Sequence, residues 1–167
     1  NDYLEYFAII LKKAHLKKNP LVRIHSQCIT GDILDSLKCD CGSQLKKSIE
    51  MMANDGGLLL YMPEEGRNIG LLNKLRAYEF QFHNIDTIDA NYALGFDADQ
   101  RRHENACELL KLLGVNSIKL ITNNPEKISQ VQKSGINVIE SVQIKVKVPA
   151  EAKKYLETKK IRSGHNL

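Results

Sequence analysis

The chain has 167 residues, 43% of them hydrophobic, a length that suits one domain with a substantial core. Its net charge is +4, but residues 141–167 alone carry +5, so residues 1–140 sum to −1. A near-neutral body argues against a nucleic-acid partner, and the basic tail suits either an anionic ligand or a solvated helix face. No apolar stretch approaches the roughly 20 residues of a membrane helix, and no secretory leader is recognisable. We therefore expect a cytoplasmic protein without a membrane partner.

Short apolar runs rich in β-branched residues alternate along the chain with helical patterns. Strands are predicted over residues 7–11, 21–25, 58–62, 117–122 and 137–144. Helices are predicted over residues 43–54, 68–82, 100–113, 125–134 and 150–159. This alternation predicts a single α/β domain over residues 1–167, with a mixed or mainly parallel sheet flanked by helices.

Two further expectations concern the predicted helices and the longest irregular stretch. Apolar positions that share a helix face are expected to face the core, namely Leu45, Ile49 and Met52 on the first helix and Leu71, Leu72, Leu75, Tyr78 and Phe82 on the second. Residues 86–99 show no clear periodicity. Long irregular loops in compact domains tend to be functional, so this segment is a candidate site loop.

Three of the four cysteines, Cys28, Cys39 and Cys41, form a C-x10-C-x-C pattern. Three soft ligands are the set of a catalytic zinc site, which leaves a fourth position for water, whereas a structural site usually closes with four. A fourth protein ligand would have to be His25, Cys107 or a more distant histidine. Cys107 lies in a helical apolar context and is interpreted as a small core residue. The pattern predicts a metal site, with buried or redox-active cysteines as the alternative.

Two strand-to-helix segments could bind an anion. In residues 63–68, Gly66 lets backbone N–H groups approach an anion and Arg67 can clamp a phosphate, although a polar loop with a solvated ion pair has the same composition. In residues 122–127, Thr122 or an asparagine can cap the following helix. Lys127 opposes the helix dipole in the first turn, and an anionic ligand would compensate for it. The alternative is a capped helix with an exposed lysine.

Acidic and basic residues alternate in a third segment, residues 97–103, which includes Asp99, Arg101 and His103. Such a stretch can serve proton transfer and phosphate chemistry, and it is also typical of a helix N-terminus with favourable acids. The sequence contains neither a Walker-type phosphate loop nor a dinucleotide fingerprint. It also lacks the P-C-x-x-C run of zinc base deaminases.

Taken together, five segments resemble the GTP cyclohydrolase II family in their order and nearly in their spacing: RIHSQCITGD, KCDCGSQL, EEGRNIGLLNKLRAY, DANYALGFDADQR and LITNNPEK. The resemblance runs from about Leu21 to Pro125 and beyond. It implies zinc-dependent hydrolysis of GTP to a diaminopyrimidinone ribosyl phosphate, formate and pyrophosphate, the first committed step of riboflavin biosynthesis. It also implies one Zn²⁺ per chain, Mg²⁺ on the GTP triphosphate, and a homodimer.

The resemblance also assigns roles to individual residues. The implied zinc ligands are Cys28, Cys39 and Cys41. The implied substrate contacts are Arg23, Ile24, His25, Ser26, Gln27, Gln44, Glu65, Gly66, Arg67, Thr87, Thr122 and Lys127. Asp99 matches the family's proton acceptor, Arg101 its nucleophile on the α-phosphate, and Tyr78 a tyrosine associated with ring opening. A protonated guanidinium has no available lone pair, so we interpret Arg101 as a charge clamp on the departing pyrophosphate.

The chain departs from the family pattern at Gln27, where the family carries glutamate beside the first cysteine. An amide offers one acceptor oxygen and no charge, so the alternative function is a catalytically impaired homologue that binds zinc and nucleotide. Little sequence precedes the first predicted strand. That feature is compatible with the cyclohydrolase part of a bifunctional riboflavin-biosynthesis protein as well as with a free-standing enzyme.

Overall fold

A five-stranded mixed sheet forms the centre of the structure. The structure is a computed structural model that describes residues 5–82, 85–97, 99–147, 149–152, 156–157, 160–161 and 164, without the side chains of residues 81, 82, 87 and 150. The strands are β1 Phe7–Leu11, β2 Leu21–Ser26, β3 Gly57–Met62, β4 Ser117–Ile121 and β5 Asn137–Val142. Their order is β1-β3-β2-β4-β5, with β1 antiparallel to β3 and the other pairs parallel. The predicted fold class is therefore confirmed.

Helices surround this sheet. They are α1 Ile29–Asp32, α2 Cys41–Asp55, α3 Glu65–Asn68, α4 Gly70–Phe82, α5 Thr87–Ala93, α6 Glu104–Leu112 and α7 Pro125–Lys133. Two 3-10 turns lie at Ala14–Leu16 and Ala150–Ala152. The helix predicted over 150–159 begins with the second of these turns, and residues 153–155 and 158–159 lie outside the described residues. None of the helices in the described part of the chain has the length and apolar character needed to cross a membrane.

The three inner strands make the core and also fix the position of the loops that follow them. Val22 and Ile24 of β2 and Leu58 and Leu60 of β3 are completely buried. Because β2, β3 and β4 run parallel, their carboxyl ends lie at the same edge of the sheet. Ligands bind preferentially at this edge in open α/β sheets.

The buried faces of two helices differ from those that the sequence pattern predicts. In α2, Ile49 is 41% exposed, while Ser48 and Met52 are completely buried. In α4, Leu72 and Leu75 are 63% and 44% exposed. The inner face of α4 instead carries polar residues, because it borders a cavity rather than the apolar core.

The stretch predicted as an irregular loop, residues 86–99, contains helix α5, so that prediction was wrong over residues 87–93. The carboxylate of Asp86 caps this helix by accepting hydrogen bonds from the N–H groups of Ile88 and Asp89, at 2.8 and 3.0 Å. Ile88 and Ala90 are buried. A helix of 7 residues shows too few apolar positions for its periodicity to be recognised.

Candidate active site

The three clustered cysteines meet at the carboxyl edge of the sheet. Cys28 follows β2, Cys39 precedes α2, and Cys41 is the first residue of α2. Their sulfur atoms all lie within 4.8 Å of one another, and the Sγ atoms of Cys28 and Cys39 are 3.8 Å apart. Zn–S bonds of about 2.3 Å in a tetrahedron would separate two sulfurs by about 3.8 Å. The geometry therefore fits a tetrahedral zinc ion with three thiolate ligands.

Two glycines make this convergence of sulfurs possible. A Cβ atom on Gly31 would lie 2.7 Å from the Sγ of Cys39 and 3.1 Å from the Sγ of Cys28. A Cβ atom on Gly42 would lie 2.1 Å from the carbonyl oxygen of Gly31. Helices α1 and α2 can thus approach each other only because neither glycine carries a side chain.

Hydrogen bonding within the cysteine group favours the thiolate form of Cys28. Contacts with Cys39 and Cys41, together with the Lys74 ammonium, hold the pKa of the Cys28 thiol well below its usual range. Its hydrogen bond to Cys28, together with burial, raises the pKa of the Cys39 thiol. The first proton therefore leaves from Cys28. A bound metal would displace the remaining thiol protons, because metals bind cysteine as thiolate.

A buried network fixes the start of the cysteine loop. Asp32 accepts hydrogen bonds from the N–H of Cys28 at 3.0 Å, from the hydroxyl of Tyr61 at 2.9 Å and from Nε2 of His25 at 3.1 Å. The Nδ1 atom of His25 faces a guanidinium nitrogen of Arg23, 3.4 Å away, which can only donate. His25 is therefore protonated on Nε2. Burial lowers its pKa and keeps it neutral.

Three cations from separate elements face the same cavity: Arg23 of β2, Lys127 of α7 and Arg101 from the loop before α6. Arg23 and Lys127 are only 7% and 6% exposed. Burial lowers the pKa of Arg23 to about 10. Burial, with the charges of Arg101 and Arg23, lowers the pKa of Lys127 far below its usual range. A buried group of like charges in a cleft marks a site for an anion.

Each buried cation is held by neutral acceptors. Arg23 donates to Oε1 of Gln44 at 2.7 Å and to the carbonyl of Ile121 at 3.3 Å. Lys127 donates to the carbonyl of Ile24 at 3.0 Å. These bonds orient the two side chains at the cavity without pairing either of them with a carboxylate, and an anionic ligand would favour their charged forms. The exposed lysine considered as an alternative for Lys127 is excluded by its burial.

The loop that carries Asp99 and Arg101 is anchored to α3. Asp99 and Arg101 form a bidentate ion pair through the Nε–Nη2 edge of the guanidinium, with 2.8 Å between Nε and Oδ1. Burial opposes ionisation of Asp99, but its hydrogen bonds with Arg101 hold its pKa at about 2. The N–H of Gln100 donates to the carbonyl of Arg67 at 3.2 Å. Gly66 and Arg67 both adopt a φ of 62°, and this left-handed turn directs the Arg67 carbonyl toward that loop.

A second set of contacts joins α4 to the cysteines. Lys74 donates to the Sγ of Cys28 at 3.0 Å, to Oγ1 of Thr30 at 2.8 Å and to Oε1 of Glu65 at 2.8 Å. The hydroxyl of Tyr78, one turn further along α4, lies 3.3 Å from Oγ1 of Thr30. Burial raises the pKa of Tyr78, so its hydroxyl stays protonated and can donate.

One cavity of about 260 Å³ joins the three cysteines to the three cations. Of the residues assigned to the site from the sequence, those that line it are Arg23, His25, Ser26, Gln27, Cys28, Cys39, Cys41, Gln44, Glu65, Gly66, Arg67, Tyr78, Asp99, Arg101, Thr122 and Lys127. Ile24 lies behind the cavity in the core and contributes its carbonyl to Lys127. Thr87 begins α5, and its side chain lies outside the described residues.

Glu64 and Lys74 also line the cavity but were not singled out from the sequence. Glu64 is 4% exposed and accepts a hydrogen bond from the hydroxyl of Ser26 at 3.1 Å. The sequence feature that could have identified Lys74 is its spacing of four residues from Tyr78, which places both side chains on one face of a helix. Cys107, by contrast, is 1% exposed within the apolar core, as predicted, and lies outside the group of three cysteines.

The fold and the site define an α/β protein with a candidate metal centre beside an anion-attracting cavity. The family model described as GTP cyclohydrolase II matches residues 1–143. The chain belongs to the GTP cyclohydrolase II family.

Curated relatives agree with this assignment. The chain is 48% identical over 165 residues to GTP cyclohydrolase-2 of Haemophilus influenzae strain PittEE, covering 98% of this chain and 76% of the relative. Identity is 47% to GTP cyclohydrolase-2 of Pasteurella multocida strain Pm70, covering 96% and 74%. The riboflavin biosynthesis protein RibBA of Staphylococcus saprophyticus is 43% identical, and the chain covers 42% of that longer protein.

His103, at the start of α6, should make stability depend on pH. It is 3% exposed, and burial, with the charges of Lys127 and Arg101, lowers its pKa to about 2. Below its unfolded pKa of about 6.5 the unfolded chain gains a proton that the folded chain does not, so stability falls as the pH falls. From about pH 7.5 to about pH 5, the wild type should lose about 2 kcal/mol more unfolding free energy than His103→Gln.

Urea unfolding followed by circular dichroism at both pH values measures this difference. His15→Gln is the matched control, because it removes a histidine that is only partly buried and lies in the 3-10 turn Ala14–Leu16. Equal losses in the wild type and His103→Gln would contradict the prediction.

Proposed function

We propose that this chain is a zinc-dependent GTP cyclohydrolase II that hydrolyses GTP to a diaminopyrimidinone ribosyl phosphate, formate and pyrophosphate, the first committed step of riboflavin biosynthesis. The observation that carries the proposal is the shared cavity, where three thiol groups face three cations in a member of this family. GTP would use both the thiol group and the cations, because its base must reach the metal while its phosphates bind the positively charged side chains.

Cys28, Cys39 and Cys41 would hold the zinc ion. When bound, the ion supplies a Lewis acid that makes hydroxide available near neutral pH. Within the described residues, the other nearby candidate ligand is His25, whose Nε2 hydrogen is committed to Asp32 and whose Nδ1 faces Arg23. The three-sulfur set therefore leaves a coordination position for the reaction, as a catalytic zinc site requires.

Arg23, Arg101 and Lys127 would bind the phosphates of GTP. Thr122 and Asn124 add polar groups at the start of α7, where Asn124 caps the helix by accepting from the N–H of Glu126 at 3.0 Å. A helix N-terminus favours negative charge. Arg101, oriented by Asp99, would stabilise the charge that develops on the departing pyrophosphate.

Tyr78 would donate a hydrogen bond and Asp99 would accept a proton during the reaction. The Tyr78 hydroxyl remains protonated and faces the cysteine loop, which suits a hydrogen-bond donor to the opening ring. Asp99 stays ionised, which suits a proton acceptor once substrate binding loosens its pair with Arg101. Gln27, Gln44, Ser26, His25 and residues 65–67 would surround the nucleotide.

We extend the proposal to the cofactors and setting that the family resemblance implies. These are one Zn²⁺ per chain, Mg²⁺ carried by the GTP triphosphate, a homodimer in the cytoplasm, and one cyclohydrolase domain over residues 1–167.

Zinc-loaded protein should release formate from GTP in the presence of Mg²⁺ and yield a pyrimidine that absorbs to the red of GTP. Cys39→Ala should abolish formate release, because it removes one of the three metal ligands. Cys107→Ala, which changes a cysteine of the core, should retain it. The measurements are a coupled formate assay and the ultraviolet spectrum.

The competing function, a zinc- and nucleotide-binding homologue without turnover, predicts GTP binding with an unchanged spectrum. Gln27 motivates it, because a carboxylate is absent at that position. The N–H groups of Gln27 and Glu64 both donate to the carbonyl of Met62 at 2.7 Å, so the two backbones lie side by side. Glu64 therefore brings a carboxylate to this part of the cavity, and that observation favours turnover.

Replacing Lys127 should weaken GTP binding in particular. Lys127→Met removes a buried charge that faces the phosphates, and a lost charge-assisted hydrogen bond costs about 1.5–3 kcal/mol, or about 10–150-fold in KM. Lys133→Met, which removes an exposed charge from the other end of α7, is the matched control and should leave KM unchanged. Steady-state kinetics measure both variants, and an unchanged KM for Lys127→Met would contradict the phosphate assignment.

A further inference from the structure

Lys74 contacts the cysteine group through a hydrogen bond to Cys28, and none of the roles proposed above uses this contact. Its ammonium has three N–H donors, and each has one acceptor: Cys28 Sγ at 3.0 Å, Thr30 Oγ1 at 2.8 Å and Glu65 Oε1 at 2.8 Å. The side chain is 13% exposed. A lysine whose donors are all engaged in a buried position is fixed in direction, unlike a surface lysine.

The acceptor Glu65 is itself held in place. Its Oε2 accepts from the N–H of Ile29 at 2.6 Å, and its Oε1 accepts from the N–H of Gly66 at 2.9 Å as well as from Lys74. Glu65 thereby joins the start of α1, which follows Cys28, to α3 and α4. The position of the Lys74 ammonium against the sulfur is therefore determined by three elements of the fold.

Charge balance gives this contact a chemical consequence. Three thiolates outnumber the two charges of a zinc ion, so the group would carry a net negative charge that weakens the metal as a Lewis acid and repels a polyanionic nucleotide. The Lys74 ammonium next to Cys28 offsets this negative charge locally at one sulfur, while the Glu65 carboxylate shares the same ammonium. A hydrogen bond to a ligand sulfur also withdraws electron density from it, which is a recognised way for outer residues to tune a metal.

We propose that Lys74 is a positioning residue that tunes the metal, because its N–H···S hydrogen bond to Cys28 reduces electron donation from that sulfur and makes the bound ion more electrophilic. The inference rests on the proposed function, since it assumes a metal held by the three cysteines. Lys74 acts through Cys28 and is not assigned a contact with GTP.

Cobalt-substituted protein tests this inference directly, because the sulfur-to-cobalt charge-transfer band reports electron density on the thiolates. In Lys74→Met this band should move to lower energy, and kcat should fall by roughly 10–100-fold while KM for GTP changes little. Lys74→Arg, which keeps a charged donor, should move the band less than Lys74→Met does. Lys47→Met, which removes an exposed charge from α2, should leave the band and kcat unchanged.

A purely structural role for Lys74 would lower thermal stability or cobalt affinity without moving the band. If Lys74→Met takes up no cobalt, the band is measured in Lys74→Leu, which also removes the donor to Cys28. An unshifted band in the cobalt-loaded variant overturns the inference. Wild type that binds cobalt but releases no formate would instead refute the proposed function and leave the band comparison valid.

Discussion

The backbone contact between Gly31 and Gly42 is the constraint on which the rest of the site depends. A side chain at either position would meet backbone or sulfur atoms well inside contact distance, as the 2.1 Å separation from the Gly31 carbonyl oxygen shows for Gly42. Because both residues are glycine, α1 and α2 pack closely enough for the loop after β2 and the start of α2 to place three sulfurs together. Helix α4 then completes the group, since Lys74 reaches both Cys28 and Glu65.

The second constraint is the burial of positive charge at the same edge of the sheet. Arg23 and Lys127 are almost fully buried, and their direct hydrogen-bond acceptors are neutral groups of His25, Gln44, Ile121 and Ile24. The carboxylates of Glu64 and Asp99 lower the electrostatic cost without pairing directly with Lys127. Such an arrangement is costly for folding and favourable for binding a polyanion. The three clustered cysteines and the three cations are different sets of residues, and the parallel strands bring both sets into one cavity.

Much of this could be predicted from the sequence. The strands and most helices follow from their periodicity, and the spacing of Cys28, Cys39 and Cys41 predicts the metal site. Helix α5 could not be recognised because it is short and its first turn is specified by one cap, Asp86. The burial of Lys127 and the role of Lys74 depend on which residues lie opposite them in three dimensions. A lysine in a helical segment has the same local pattern whether it is solvated or faces a thiolate.

The central claim is that one cavity binds both the metal and the nucleotide. A crystal structure of zinc-loaded protein with a non-hydrolysable GTP analogue, with anomalous data at the zinc edge, tests it most directly. The account predicts an anomalous peak between Cys28, Cys39 and Cys41, the guanine beside it, and the phosphates against Arg101 and Lys127. A metal held by four protein ligands, or a nucleotide bound away from the cysteines, would contradict it.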